Sequence, residues 1–111
     1  EYNKKNNYAW VILEHIITTW NAKLNGNFSI FLVPPFQYVE QLSSSSNFSK
    51  RFLELGNNLD IKITNPLQKL WEYSYSDRRN FRFVVDTHLT PTGHKILSEI
   101  FIDHLDEVMK K

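Results

Sequence analysis

The sequence contains no cysteine and no long uninterrupted apolar run. The absence of cysteine excludes disulfides, thiolate zinc sites and a cysteine nucleophile. No stretch approaches the ~18 consecutive apolar residues that a membrane-spanning helix requires. We therefore expect no transmembrane segment in this chain.

Neither sign of charge dominates, since 13 basic and 12 acidic residues give a formal net charge of +1. The basic residues are dispersed and never form more than short pairs, as at Lys4-Lys5 and Arg78-Arg79. This balance gives no electrostatic reason to expect nucleic acid or an anionic membrane as a partner. The 41% of hydrophobic residues, by contrast, are enough for a core, which argues against a disordered chain.

Helical periodicity is strongest near the two ends of the chain. Residues 8–24 carry apolar side chains at every fourth position, at Tyr8, Ile12, Ile16, Trp20 and Leu24, and this stripe is widened by Val11, Leu13 and Ile17. This spacing predicts a helix with a broad buried face, ended by a left-handed residue at Gly26. At the other end, Thr90 and Pro91 are typical of an N-cap and the first helical residue. A second apolar stripe then follows to the C-terminus: Leu97, Ile100, Phe101, Leu105 and Val108.

Two short β-rich segments lie between these helices, at residues 28–33 (FSIFLV) and 59–63 (LDIKI). The first reads as a strand buried on both faces and ended by Pro34-Pro35. We expect helices at residues 36–42, 48–55 (closed by Gly56) and 66–73, a polar turn at 75–80 and an extended segment at 81–85. Alternating helices and buried strands predict an α/β fold with a parallel sheet. Two strands cannot cover the apolar surface of so many helices, so we expect further strands outside this chain.

The segment that carries chemistry runs from Asp86 through Thr87, His88, Leu89 and Thr90 to the start of the last helix. An acid stands two residues before a histidine, in a loop held against a capped helix. A short loop mounted on a long packed helix can hold a general base rigidly. The nearby helix N-terminus disfavours imidazolium, which leaves neutral imidazole available as a base.

The run from Asp86 to His94 (DTHLTPTGH), followed by an amphipathic helix, resembles the last conserved block of SGNH/GDSL hydrolases, a family of serine esterases and acylhydrolases. The resemblance implies a three-layer α/β/α flavodoxin-like parallel sheet, of which residues 1–111 form one incomplete, C-terminal portion. It also implies that His88 is the general base and Asp86 its orienting acid, with no metal or other cofactor. The implied substrate is a small acyl ester, such as an acetylated carbohydrate, a lipid or a thioester.

Two departures from the family pattern stand out. The acid precedes His88 by two residues, whereas three is the family's commonest spacing, which would place the acid at Val85. In addition, the Gly-Asp-Ser type block that holds the nucleophile, and the blocks that hold the oxyanion-hole residues, are not recognisable. No serine of the chain has that context: Ser29, Ser43, Ser44, Ser45, Ser46, Ser49, Ser74, Ser76 and Ser98. We therefore expect the nucleophile in a preceding segment or a second chain.

Other interpretations of the same residues stay open. Asp86 and His88 could belong to an ordinary polar loop, or could join His94 in a metal site, although no fourth ligand is evident. Pro34-Pro35-Phe36 is either a strand terminator or the wall of a pocket at the carboxyl end of a strand. The competing function is a non-catalytic α/β domain that binds a partner.

Overall fold

The computed structural model describes residues 2–110 and is mixed α/β, with helices predominating. The elements in chain order are α1 (Tyr8–Lys23), β1 (Ser29–Phe31), α2 (Phe36–Val39), α3 (Ser46–Leu59), β2 (Lys62–Thr64), α4 (Leu67–Leu70), α5 (Tyr75–Arg79) and α6 (Pro91–Met109). β1 and β2 are neighbours in a two-stranded parallel sheet. The predicted α/β class is confirmed, but each strand has only three residues, all of them half-buried.

The chain divides into two compact units. The first contains the residues up to Ile30 together with Ser45–Ile63, and therefore α1 and α3. The second contains Phe31–Ser44 and the residues from Thr64 onward, and therefore α2, α4, α5 and α6. The interpretation of residues 1–111 as one incomplete domain stays a prediction. No helix within residues 2–110 combines the length and hydropathy needed to cross a bilayer.

Aromatic contacts organise the first unit. The rings of Trp10 on α1 and Phe52 on α3 meet edge to face, with centroids 5.1 Å apart. Phe48 packs against Phe52 at 5.1 Å and against Tyr2 at 5.3 Å. Aromatic pairs of this geometry contribute about 0.5–1.5 kcal/mol each beyond the burial of their surface. These rings therefore hold α1 against α3.

The predicted buried face of α1 is wrong for its main stripe. The helix forms where its periodicity predicts, but its buried residues are Trp10 and Ile17, of which only Ile17 was expected on that face. The stripe with a spacing of four is 37–80% exposed: Tyr8, Ile12, Ile16, Trp20 and Leu24. Periodicity indicates that one face of a helix is apolar, but it does not identify the segment that packs against that face. No segment among residues 2–110 buries this one.

Gly56 does not end α3, contrary to expectation. The helix continues to Leu59 and ends at Asp60, which adopts the left-handed conformation with φ 53°. Gly56 is buried inside the helix, where a Cβ atom would lie 3.2 Å from the carbonyl oxygen of Ile61 and 3.4 Å from the side chain of Ile63. The missing side chain therefore lets the returning chain approach the helix closely.

Three short helices precede α6 in the second unit. The predicted helix at 66–73 is confined to α4, and Asn65 Oδ1 accepts a hydrogen bond from the Leu67 amide at 3.1 Å. The predicted polar turn at 75–80 is instead mostly helical, because Ser74 Oγ accepts from the Asp77 amide and begins α5. Hydrogen bonds of this kind satisfy amides in the first turn that have no partner within the helix. The unit's buried apolar residues include Val39, Leu67, Leu70, Phe81 and Ile100.

The start of α6 confirms the predicted cap. Thr90 Oγ1 accepts a hydrogen bond from the Gly93 amide at 3.1 Å, and Pro91 is the first helical residue. Gly93 is packed against the backbone of Phe81, so that a Cβ atom would lie 2.1 Å from the Phe81 carbonyl oxygen. The same carbonyl accepts the Thr90 amide at 3.0 Å. Only glycine fits here, and the contact fixes the helix start against the preceding chain.

We expect Gly93→Ala to lower the free energy of unfolding by at least the ~1–3 kcal/mol typical of overpacking, because backbone atoms cannot move aside as a side chain can. Urea denaturation measures the loss. Thr92→Ala, at the exposed neighbouring position, is the matched control and should cost little. Equal stability of the two variants would contradict the close packing of α6 on Phe81.

Candidate active site

The loop before α6 is held by hydrogen bonds where it begins and ends, and its middle is exposed to solvent. Arg82 and Leu89 form an isolated antiparallel bridge, and the Phe83 amide donates to the His88 carbonyl at 3.1 Å. Below the bridge, Thr90 Oγ1 donates to the Asn80 carbonyl at 2.7 Å. The predicted extended segment at 81–85 thus pairs with the chain directly after it. Val85 at the tip is 98% exposed.

Asp86 and His88 contact each other within this loop. Asp86 Oδ1 accepts a hydrogen bond from the His88 backbone amide at 3.0 Å and also contacts His88 Nδ1. An ionised carboxylate can only accept, so Nδ1 carries the proton and the lone pair of a neutral ring lies on Nε2. Among the described residues, Asp86 is the only hydrogen-bond partner of the His88 ring, whose side chain is 85% exposed. Nε2 is therefore free to meet a substrate or a hydroxyl group.

The same contacts keep Asp86 ionised. The His88 backbone amide, and after it the His88 ring, lower the pKa of the Asp86 carboxyl below its ordinary value. Hydrogen bonds to the charged form of an acid favour that form. Asp86 consequently stays an acceptor at neutral pH and can orient His88, which is the role expected from the sequence.

A cavity of about 430 Å³ lies beside the loop, lined by both neighbours of His88, Thr87 and Leu89. Much of its wall is apolar: Val33, Pro34, Pro35, Phe36, Phe81 and Leu89. Pro34, Pro35 and Phe36 thus line a pocket after the end of β1, which agrees with the second of the two interpretations of that segment. The cavity can accommodate the apolar part of a small molecule within reach of the loop.

One wall of the cavity holds a carboxylate paired with arginine. Arg82 Nε and Nη2 donate to the two oxygens of Glu40 at 2.6 Å and 3.1 Å. The Glu40 side chain is only 1% exposed, and the guanidinium lies 4.2 Å from the centre of the Phe36 ring. The hydrogen bond with Glu40 raises the pKa of Arg82 further above its ordinary value. The two groups thus form an ion pair joined by two hydrogen bonds.

Arg78 lines the same cavity without a carboxylate partner. Its Nε donates to the Tyr73 carbonyl at 3.1 Å, and its Nη1 donates to the Val39 carbonyl at 2.7 Å and to Gln41 Oε1 at 3.4 Å. The residue is 8% exposed. Within the part of the chain that the structure describes, Arg78 is therefore a buried cation whose hydrogen bonds go only to neutral oxygens, and its guanidinium lies 5.8 Å from the centre of the Tyr75 ring.

The other histidines lie outside this arrangement. His94 and His15 are exposed. His104 is buried, with Nδ1 2.7 Å from Thr64 Oγ1 and its ring near Phe31. Residues 2–110 contain no group of three histidine or acidic side chains placed to hold a metal ion, so the set of Asp86, His88 and His94 has no geometric support.

Comparison of the chain with protein-family models, with curated proteins and with solved structures gave no match. The likeness of residues 86–94 to the last block of SGNH/GDSL hydrolases is therefore carried by those residues alone.

Sequence reasoning finds the Asp86–His88 pair but misses the charged wall of the cavity. Glu40, Arg78 and Arg82 look like ordinary surface residues because no local pattern distinguishes a buried charge from a solvated one. A weak signal does exist. Arg78 and Arg82 have a spacing of four across a segment with aromatic residues on both sides.

We expect the Asp86 carboxyl to titrate below the usual range for aspartate, and ¹³C NMR of its Cγ atom measures this directly. The depressed pKa means that its bonds stabilise the loop above the ordinary aspartate pKa and are lost as the pH falls through the lowered value. His88→Ala should reverse only part of the shift, since the backbone amide is its larger cause. An ordinary pKa in the unchanged protein would contradict the contact.

We expect Arg82→Met to destabilise the protein more than the double variant Arg82→Met/Glu40→Leu. The single change leaves a buried carboxylate without its cation, whereas the double change replaces the pair with apolar groups. Urea denaturation of both variants tests this, with Arg79→Met at an exposed position as the control. A single variant more stable than the double variant would contradict the pairing of Glu40 with Arg82.

Proposed function

We propose that this chain is the C-terminal portion of a serine esterase or acylhydrolase of the SGNH/GDSL type, with His88 as general base and Asp86 as its orienting acid. The observation that carries the proposal is the Asp86–His88 contact, which leaves Nε2 without a partner among the described residues, in a loop whose Thr87 and Leu89 line a cavity. The substrate class is a small acyl ester, for example an acetylated carbohydrate, a lipid or a thioester.

In the first half of the reaction, His88 Nε2 takes the proton of a serine hydroxyl as the serine oxygen attacks the ester carbonyl. Collapse of the tetrahedral intermediate breaks the bond to the alcohol, which leaves with the proton from His88. The products are an acyl-serine and the free alcohol. Asp86 remains ionised throughout and accepts from Nδ1–H, which stabilises the transient imidazolium.

In the second half, His88 Nε2 removes a proton from water, and the resulting hydroxide attacks the acyl carbonyl. The serine oxygen leaves and recovers its proton from His88, and the carboxylic acid is released. No step requires a metal or another cofactor. The acyl or alcohol group would bind in the cavity that Thr87 and Leu89 line, next to His88 along the chain.

The proposal places the nucleophile and the oxyanion hole in a preceding segment or a second chain. No described serine contacts His88, whose ring bonds only Asp86 within residues 2–110. The exposed apolar stripe of α1 and the short parallel sheet support a larger fold, because isolated parallel pairs are rare and parallel sheets are normally covered on both faces. Further strands would complete a three-layer flavodoxin-like α/β/α arrangement.

The same absence of a contacting serine favours a second candidate, a non-catalytic α/β domain that binds a ligand or partner through the cavity. In that case Asp86 and His88 would form an ordinary hydrogen-bonded loop. The two candidates differ in whether a serine that reacts with fluorophosphonates depends on His88.

We expect the complete protein to be labelled on one serine by a fluorophosphonate, and His88→Ala to slow the labelling by about 10²–10⁴-fold, the usual contribution of a general base. Intact mass spectrometry over time gives the rates, and peptide mapping locates the serine. Asp86→Asn should slow labelling less, because it misorients the base without removing it.

His94→Ala is the matched control, because His94 is an exposed histidine of the same segment with no place in the mechanism. Its labelling rate should equal that of the unchanged protein. Absence of labelling in the well-folded complete protein, or equal rates for His88→Ala and His94→Ala, would reject the esterase and favour the binding domain.

A further inference from the structure

The charges that line the cavity do not cancel. Two guanidinium groups, those of Arg78 and Arg82, face one carboxylate, that of Glu40. Arg82 and Glu40 neutralise each other through two short hydrogen bonds. One positive charge is left over, and it resides on Arg78.

Arg78 has unused hydrogen-bonding capacity. Its Nε and Nη1 are occupied by the Tyr73 and Val39 carbonyls and by Gln41 Oε1, which leaves Nη2 without an acceptor among the described residues. Nη2 is not among the fully buried polar atoms that lack a partner, so it retains contact with solvent. Arg78 is one of the residues that line the cavity, so Nη2 is the donor that we expect a ligand in the cavity to use.

The bonds that Arg78 does make fix its position. Val39 is the last residue of α2, and the Tyr73 carbonyl lies just before α5. The guanidinium is therefore held rigidly, and little side-chain entropy would be lost when a ligand binds. A buried cation with fixed geometry and a free N–H edge is a strong site for an anionic oxygen, since hydrogen bonds to charged groups are about twice as strong as neutral ones.

We propose that the cavity binds a small organic anion, with a carboxylate or phosphate oxygen on Arg78 Nη2 and an apolar body against Phe36, Pro35 and Leu89. Where the cavity serves the proposed esterase, on which this further step rests, the substrate is an acyl ester that carries a second, anionic group in its acyl or alcohol part. Arg82 and Glu40 line the cavity but do not bind the anion, because each is already paired with the other.

Binding of benzoate and its neutral analogue benzamide tests the site without any catalysis. Calorimetric titration of the protein should give benzoate an affinity about 10- to 100-fold above that of benzamide, as expected for a hydrogen bond to a charged donor. Equal affinities, or no benzoate binding, would overturn the proposal. High salt should weaken benzoate binding only modestly because the cation is buried.

Variants locate the anion. Arg78→Gln should abolish the preference for benzoate, whereas Arg79→Gln, at the exposed neighbouring arginine, should retain it. Should Arg78→Gln fail to fold by circular dichroism, Thr87→Trp serves instead, since it fills the cavity from an exposed position and leaves Arg78 intact. Unchanged benzoate affinity in Thr87→Trp or in folded Arg78→Gln would place the anion elsewhere and overturn the proposal.

Ester kinetics separate this proposal from the one it rests on. In the complete protein, 4-nitrophenyl hemisuccinate should have a kcat/KM about tenfold or more above that of neutral 4-nitrophenyl butyrate, and Arg78→Gln should remove the difference mainly through KM. Hydrolysis of both esters without preference would leave the esterase standing and reject the anion site. Selective benzoate binding without hydrolysis of either ester would support the anion site and reject the esterase.

Discussion

The contact between Gly93 and the backbone of Phe81 is the constraint on which the candidate site depends. It presses the first turn of α6 against the chain that enters the loop, at a distance that excludes any side chain. The Phe81 carbonyl also accepts the Thr90 amide, and Thr90 caps the helix with its hydroxyl. The loop that carries Asp86 and His88 therefore begins and ends at one fixed point. The tip of the loop is exposed, but the two ends of the loop keep their positions.

Buried charge defines the other half of the site. Burying a cation without a carboxylate is costly, and proteins tolerate it where backbone carbonyls are aimed at the charge. Arg78 meets this condition through Tyr73 and Val39. Glu40 and Arg82 are instead buried as an ion pair, and the two residues are 42 positions apart along the chain. Together these groups give the cavity charged side chains among its apolar ones.

Local features of the structure follow from the sequence, and long-range ones do not. The Thr90 cap, the extent of α1 and the mixed α/β class were predictable because each depends on residues within one or two helical turns. The buried face of α1 was not, because apolar periodicity identifies a face but not its partner. Gly56 misled for a related reason, since its function is a close approach by Ile61 and Ile63 rather than a helix end.

The residues of the candidate site also divide into local ones, which the sequence predicts, and long-range ones, which it does not. Asp86 and His88 are two residues apart, so a short pattern is enough to find them. Arg78 and Glu40 reach the cavity only through the packing of α2 against α4 and through bonds that join distant segments. Their burial could not be read from composition, because arginine and glutamate are ordinarily exposed residues.

The locality of the Asp86–His88 contact has a thermodynamic consequence. Both of its hydrogen bonds span only two residues, so the contact closes a very small loop and costs little chain entropy. The contact can therefore persist when the packing around the loop loosens, whereas the position of the loop relative to α6 depends on the Gly93–Phe81 contact and would be lost.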